Sequence, residues 1–439
     1  MSSLIRTGGM LNQHKYETGA VTILVTMLLL MATSVGVFYL NRTTIFDQKS
    51  SANQYRSTLA LEAADAGIEW AIGMLNRPYD IAANCSFNTT TNVSFRRKYV
   101  QIDYATAANI ANHTSLNVST APNVHPGCYI TNGVLSCGCP SPGAGDASLS
   151  PPSALPGFTV SFAAIDETSV EITSVGCSAL TTACSATTAA GSDATATVKS
   201  IVKFRSILRA APVSPLTCGG SCSLSGSFSV ENTDYSTNGI TINAGGAITG
   251  AAGAVTTIPG APSSNSVVNG DQSLASLAAA DPACTNGSIF NAYFGSTLSQ
   301  YQTSPSVDSI SCTSAAACGT AVVSAYNDGW RSFYFPSGFE LNNSSGISSL
   351  GSEADPVTIV TPGAIKINGN INIYGLVFSN DATFGDIGTG SSKINGALIS
   401  CKDFGSNGNG NITYNATALR NLQLSSSLMV RIPGSWRDF

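Results

Sequence analysis

Charge is scarce in this 439-residue sequence. Charged residues make up 10% of it, with 20 Lys+Arg against 25 Asp+Glu and a formal net charge of −5; an ordinary soluble chain carries about 25%. That balance argues against a nucleic-acid binder, which needs a basic footprint to displace counterions. Histidine is rarer still, with only His14, His113 and His125, too few for a His-rich zinc site or a His-x-x-x-His metalloprotease. No Cys-x-x-Cys pair occurs; Cys218-Gly-Gly-Ser-Cys222 and Cys137-Gly-Cys139 come nearest. The glycine-rich stretches lack the Gly-Lys-Ser/Thr of a phosphate loop. The Gly/Ser/Thr/Asn/Ala-rich composition excludes a long coiled coil beyond one helix.

Twelve cysteines are present, an even number. In a low-charge chain of this kind they point to an oxidising compartment and to disulfides rather than to cytosolic metal binding. The one long apolar run is AVTILVTMLLLMATSVGVFYL, residues 20–40, uncharged throughout and long enough to cross ~30 Å of hydrocarbon as a helix. A polar leader with Arg6 and Lys15 precedes it. No A-x-A cleavage site follows, so an ordinary cleaved secretory signal fits poorly. Helical character continues: residues 42–75 contain no Pro, and Leu61, Ala64, Ile68, Ala71 and Leu75 recur at spacings of three and four. From Ala20 to Leu75 one helix would be ~84 Å long, ended by Asn76-Arg77-Pro78.

A polar leader ending in Gly, followed at once by Gly19-Ala20-Val21-Thr22-Ile23-Leu24-Val25, resembles the class III signal of type IV pilins. Together with Asn53-Gln54-Tyr55-Arg56 and Leu61-Glu62-Ala63-Ala64-Asp65-Ala66-Gly67-Ile68-Glu69-Trp70-Ala71, it resembles the PilX-type minor pilins over residues 14–76. The resemblance implies cleavage by prepilin peptidase between Gly19 and Ala20 and methylation of the new N-terminus. It implies retention of residues 20–40, first as inner-membrane anchor and later in the filament. Major pilins carry Glu at the fifth mature position, where it pairs with a neighbour's amine. Here that position is Leu24, which removes both the desolvation cost and the pairing and favours a minor, tip-proximal role over routine placement in the shaft. The tail Arg431-Ile-Pro-Gly-Ser-Trp-Arg-Asp-Phe439 also looks like the C-terminus of such proteins with large heads.

The expected fold is α+β, with a leader at 1–19, the long helix at 20–76, a pilin-like antiparallel sheet at 77–210 and a β-solenoid-like head at 211–439. Strand alternation is clear in Phe158–Ile165, Val170–Val175 and Val198–Phe204, and residues 177–195 read as a loop. In Cys128-Tyr-Ile-Thr-Asn-Gly-Val-Leu-Ser-Cys137, the turn dipeptide Asn132-Gly133 puts Cys128 opposite Cys137 at a non-hydrogen-bonded pair, where Cα atoms lie ~4.5 Å apart. Cys139 competes for the same partner. Proximity alone suggests Cys177–Cys184, Cys218–Cys222 and Cys312–Cys318. From about 215, apolar triplets recur between Gly and Asn: Ile240–Ile242, Ala247–Thr249, Ala254–Thr256, then Val357–Val360, Ile365–Ile367, Ile371–Ile373, Leu376–Phe378 and Leu398-Ile399. Asn-Gly turns at 238, 368, 395 and 407 punctuate them, and Lys366-Ile-Asn-Gly and Lys393-Ile-Asn-Gly are near-repeats. Short strands with Gly/Asn corners suggest a solenoid whose rungs bury apolar side chains against one another; an irregular sandwich is the alternative. Residues 272–302 read as a helical insertion.

Catalysis is not expected. Asp381 and Asp386 lack a third acid and read as turn residues. His125 near Cys128 could suggest a thiol nucleophile, but an oxidised compartment favours a disulfide. Tyr326, Trp330, Phe333, Tyr334 and Phe335 form the densest aromatic run, an adhesive patch or, more simply, core. No metal or cofactor is implied. The sequence thus reads as a minor pilin of a type IV pilus, working with other minor pilins and the assembly platform. A type II secretion pseudopilin, a surface adhesin with an unknown ligand and a tethered carbohydrate enzyme are the alternatives. The 363 residues from 77 to 439 would have a radius of gyration of ~21 Å, wide for close stacking along a shaft.

Overall fold

In the computed structural model the described residues are 18–88, 93–104, 116–153, 155–180, 184, 194–284, 288–363, 365–367, 369–380, 392–406 and 408–439. The chain divides into two compact units, Met1–Thr58 and Leu59–Phe439. Helix α1 spans Thr18–Leu75. In the first unit its side chains from Val21 to Ser51 are all exposed, including Leu30 and Leu40 at 69% each.

The second unit is mixed α+β. A short helix α2 (Phe95–Tyr99) is N-capped by Ser94, whose side chain accepts from the Arg97 amide. Beyond it come β1 (Gly127–Thr131), β2 (Val134–Gly138), β3 (Leu155–Ala164), β4 (Ser169–Leu180) and β5 (Thr195–Arg205). They form an antiparallel meander, β1 pairing with both β2 and β3, β3 with β4 and β4 with β5. Asn132 and Gly133 have φ of 50° and 76°, the positive values that a two-residue hairpin turn of this twist demands. Alternation works as expected on β5: Val198 and Val202 are buried, and Lys199 pairs with Glu171 at 2.7 Å.

The end of α1 packs on this sheet. Ala64, Ile68, Ala71 and Leu75 are buried with Phe158, Val160, Ile172, Val198 and Val202 in one core. The approach is close because small residues meet. A Cβ added at Gly176 of β4 would lie 2.2 Å from the Ala60 carbonyl oxygen and 2.3 Å from the Ala64 amide nitrogen. Gly67 faces Ser174 and Phe158 just as tightly.

After β5 the pairing becomes parallel. The strands are β6 (Leu216–Cys218), β7 (Ile242–Ala244), β8 (Val267–Asn269), β9 (Asp308–Ser309), β10 (Ser332–Tyr334), β11 (Val357–Thr361), β12 (Asn372–Ser379) and β13 (Lys393–Ser400). Their spatial order is β9-β10-β11-β12-β13-β6-β7-β8. The chain therefore enters the stack in its interior, builds to one end and resumes at the other. Helices α3 (Gln272–Ala280), α4 (Ser288–Phe294) and α5 (Leu298–Gln302) lie between the two runs in sequence, where the sequence reading placed a helical insertion, and α6 (Ala315–Asn327) lies between β9 and β10. Two further groups of short parallel pairs accompany this ladder, the first hydrogen-bonded to Lys393–Asn395 of β13 and the second a separate sheet. One joins Ser229–Glu231 to Val255–Thr256 and Asn411–Thr413; the other joins Cys222–Ser223 to Ile248–Thr249 and Phe404–Gly405. Leu216, Cys222, Val230, Ile359, Ile373 and Phe404, drawn from all three groups, share one core.

Strands β11 to β13 are covered on both faces. Ile359, Val377 and Leu398 point into that core, while Val360, Leu376, Phe378, Ala397 and Ile399 pack against Phe290, Phe294 and Tyr301 of the helices. Burial on both faces explains the unbroken apolar runs, since a half-exposed strand would alternate. Three expectations differ from the structure. Asn395-Gly396 lies inside β13 rather than in a turn: Gly396 has φ 148° and stands against Gly375 of β12, φ 133°, where a Cβ would lie 1.9 Å from the Gly375 carbonyl oxygen. The near-repeats at 366 and 393 are not stacked, because Lys366 sits beside Glu340 and Lys393 beside Asn372. Cys177–Leu180 belongs to β4, not to a loop.

The C-terminus returns to the meander. After α7 (Ala416–Ser425), β14 (Leu428–Arg431) and β15 (Arg437–Asp438) both pair antiparallel with β5. The parallel stack is thus an insertion within the antiparallel sheet, and a boundary at 210/211 divides that sheet's own strands.

A Gly176→Val change should cost about 1–3 kcal/mol by overpacking, read from urea unfolding of the purified protein. The Cys284–Cys401 disulfide closes a sequence separation of 117 residues. Replacing both with Ser should cost about 2–5 kcal/mol, and clearly more than the same change at Cys218 and Cys222, separated by 4.

Candidate functional site

The N-terminal segment is built for an apolar surround. A window within Val21–Leu75 reaches a mean hydropathy of 2.3 with none of it buried by the protein. Its hydroxyls are satisfied internally: Thr26 donates to the Thr22 and Ile23 carbonyls, Thr33 to Leu30 and Ser34 to Met31. Those three hydroxyls then need no partner from outside the helix, as hydrocarbon surroundings demand. The backbones of Gly19 and Ala20 lie in the first turns of α1; their side chains fall outside the described residues. Leu24 is 62% exposed.

Of the five helix-stripe residues, Ala64, Ile68, Ala71 and Leu75 are buried and Leu61 is half-buried against the same core. The opposite margin of α1 is held by the returning tail, a contact that sequence reasoning missed. Asn76 exchanges two hydrogen bonds with Met429: its Nδ2 donates to the carbonyl at 2.9 Å and its Oδ1 accepts from the amide at 2.7 Å. Arg431 reaches Glu69 at 2.6 Å, and the Trp436 indole N–H donates to Asp65 at 2.9 Å. The only advance signal was the dense polar spacing of Asp65, Glu69 and Asn76 beside the apolar stripe.

The structure pairs Cys128 with Cys137, Cys177 with Cys184, Cys218 with Cys222 and Cys312 with Cys318. It pairs Cys139 with Cys85, and Cys284 with Cys401, two long-range bridges that spacing alone cannot reveal. His125 faces Asp146 at 2.5 Å rather than a thiol. Asp381, Asp386, His14 and His113 lie outside the described residues. Phe333, Tyr334 and Phe335 are buried, with Tyr326 and Trp330 packed beside them.

A polar cavity of about 430 Å³ opens where the end of α1, α2 and the parallel stack converge. Arg96 donates to the Ser425 and Ser427 carbonyls at 3.0 and 2.7 Å, meeting the free carbonyls at the end of α7. Burial, with the neighbouring Arg97 charge, lowers its pKa to about 10. Asp355 accepts from Arg331 at 2.7 Å and from Arg97 at 2.9 Å. Burial alone would raise the Asp355 pKa, but the hydrogen bond and charge of Arg331, then the charge and hydrogen bond of Arg97, hold it below the usual value of 3.8.

Helix α1 thus runs from an exposed apolar half to an amphipathic end that docks on an antiparallel sheet. Residues 19–69 match the family described as PilX N-terminal, so in that segment the chain is PilX-like. Among solved structures, the competence-associated pilin ComZ from Thermus thermophilus aligns over 88% of this chain and 97% of its own length, at 10% identity and a TM-score of 0.22. No correspondence of individual elements follows from a score that low. No curated protein sequence matches the chain.

Asn76→Leu leaves the Met429 backbone groups unmet and should cost about 1–3 kcal/mol, measured by urea unfolding. The contribution of Asp355 is fully present above the unfolded value of 3.8 and is lost as pH falls through its lower folded value. The stability difference between native protein and Asp355→Asn should therefore be constant above about pH 5 and shrink toward about pH 3.

Proposed function

We propose that the protein is a minor pilin of a type IV pilus. It is held in the inner membrane by residues 20–40, cleaved by prepilin peptidase between Gly19 and Ala20, and acts in pilus assembly near the tip. The observation that carries this reading is the PilX N-terminal match over residues 19–69, on a helix whose segment 21–40 is apolar and exposed. Leu24 lacks the carboxylate that pairs with a neighbour's amine in a shaft, which supports a minor position. Its partners in this reading are other minor pilins and the assembly platform, and its work is assembly rather than catalysis. The parallel stack of residues 216–413 is read as a short β-solenoid, and its bulk supports placement at a tip, where no subunit stacks above it.

Intact mass and N-terminal sequencing of protein from membranes test the processing step. A start at Ala20 carrying ~14 Da for a methyl group, absent without the peptidase, is the expected result; a start at Met1 in both strains refutes it. A pseudopilin shares the leader, helix and missing carboxylate. Deletion should abolish pili and twitching if the pilus reading holds, and exoprotein release if the pseudopilin reading does. Immunogold labelling should mark filament ends, and even decoration along the shaft would remove the tip assignment.

A further inference from the structure

The junction cavity carries more positive than negative side chains. Four arginines line it, Arg77, Arg96, Arg97 and Arg331, against two acids, Asp80 and Asp355, in a chain whose net charge is −5. An enclosed guanidinium needs partners, because unpaired charge away from water is costly; Arg331 has them in Asp355 and the Tyr326 and Trp330 carbonyls, whereas Arg77 and Arg97 reach solvent. Here one carboxylate, Asp355, serves both Arg97 and Arg331. Arg96 is committed to the end of α7. Arg97 is 52% exposed along its side chain, and the Arg331 Nε is buried with no hydrogen-bond partner among the described residues. Arg77 bonds the Tyr79 hydroxyl through one nitrogen. A guanidinium has five N–H donors, so Arg77 and Arg97 retain donors beyond these bonds.

We infer that this cavity binds a small oxyanion, a carboxylate or phosphate group on a ligand no larger than a single acidic sugar. About 430 Å³ falls in the lower range of ligand pockets, ~300–1,000 Å³. The guanidinium fork matches carboxylate and phosphate in planar, bidentate fashion. Polar walls disfavour a lipid tail, and the excess of positive charge disfavours a metal cation. The inference does not depend on the pilin reading, because every residue it uses belongs to the folded unit 59–439.

The test is isothermal titration of the full-length protein in detergent with inorganic phosphate and, separately, sodium glucuronate; glucose serves as the uncharged comparison. Saturable binding of one acid or both, with glucose silent, is expected. Phosphate alone would identify a phosphorylated ligand, and glucuronate alone an acidic sugar. Arg97→Gln should weaken binding by about tenfold or more, with Asp355 still held by Arg331. Arg77→Gln should weaken it similarly without touching the Asp355 pairs, and Arg77→Lys should restore part of the loss. Absence of saturable binding by either acid, equal binding of glucose, or unchanged affinity in both glutamine variants would overturn the inference.

Discussion

The architecture of residues 59–439 depends on the absence of side-chain volume between α1 and β4. Gly176 leaves no space for even a methyl group against the backbone of Ala60 and Ala64, and Gly67 leaves none against Ser174. That near-contact lets the helix bury Ala64, Ile68, Ala71 and Leu75 on the sheet. β4 pairs with β5, and both the parallel stack and the returning tail adjoin β5. The parallel stack leaves from its C-terminal end, and the tail returns along its free side. Asn76, Glu69 and Asp65 then bind that tail from the helix, so the helix, the sheet and the insertion close on one another.

This closure makes one folded unit of parts with different chemistry. The antiparallel sheet is stabilised by a compact aromatic and aliphatic core. The stack, by contrast, relies on short strands whose apolar side chains are each worth about 1.5–3 kcal/mol when fully buried. Helices α3 to α5 and α7 cover the face of the stack that would otherwise present Val360, Phe378 and Ile399 to solvent. The apolar run from Val21 to Leu40 is exposed instead, with the Thr26, Thr33 and Ser34 hydroxyls bonded within the helix. The PilX-type N-terminal segment and the large inserted head therefore obey separate rules along a single chain.

Much of this was legible in the sequence, because local patterning carries it. The apolar run at 20–40, the stripe ending at Leu75, the hairpin about Asn132-Gly133 and the alternation of β5 each follow from periodicity or turn chemistry within about ten residues. The unbroken runs at 357–360 and 376–378 marked strands, and their burial on both faces explains why they do not alternate. The order of the stack was not legible. Triplets such as Ile240–Ile242 and Ile365–Ile367 are chemically interchangeable, and nothing local says that β13 must lie beside β6. Asn395-Gly396 misled for the same reason. It has the chemistry of a turn, but its glycine serves close passage over Gly375. The return of residues 428–438 to β5 and the Cys284–Cys401 bridge depend on separations over which sequence spacing holds no information.

The interior entry of the chain into its stack has a consequence for the order of folding. Synthesis delivers β6, β7 and β8 first, yet the neighbour of β6 on its other side is β13, made about 180 residues later. Until then the newborn strands hold an open edge, and the sheet they spring from lacks β14. Contacts of such wide sequence separation slow folding, because loop closure must precede them. Residues 393–438 thus complete both the stack and the sheet, and a chain cut before them would hold most of its core residues without either structure closed.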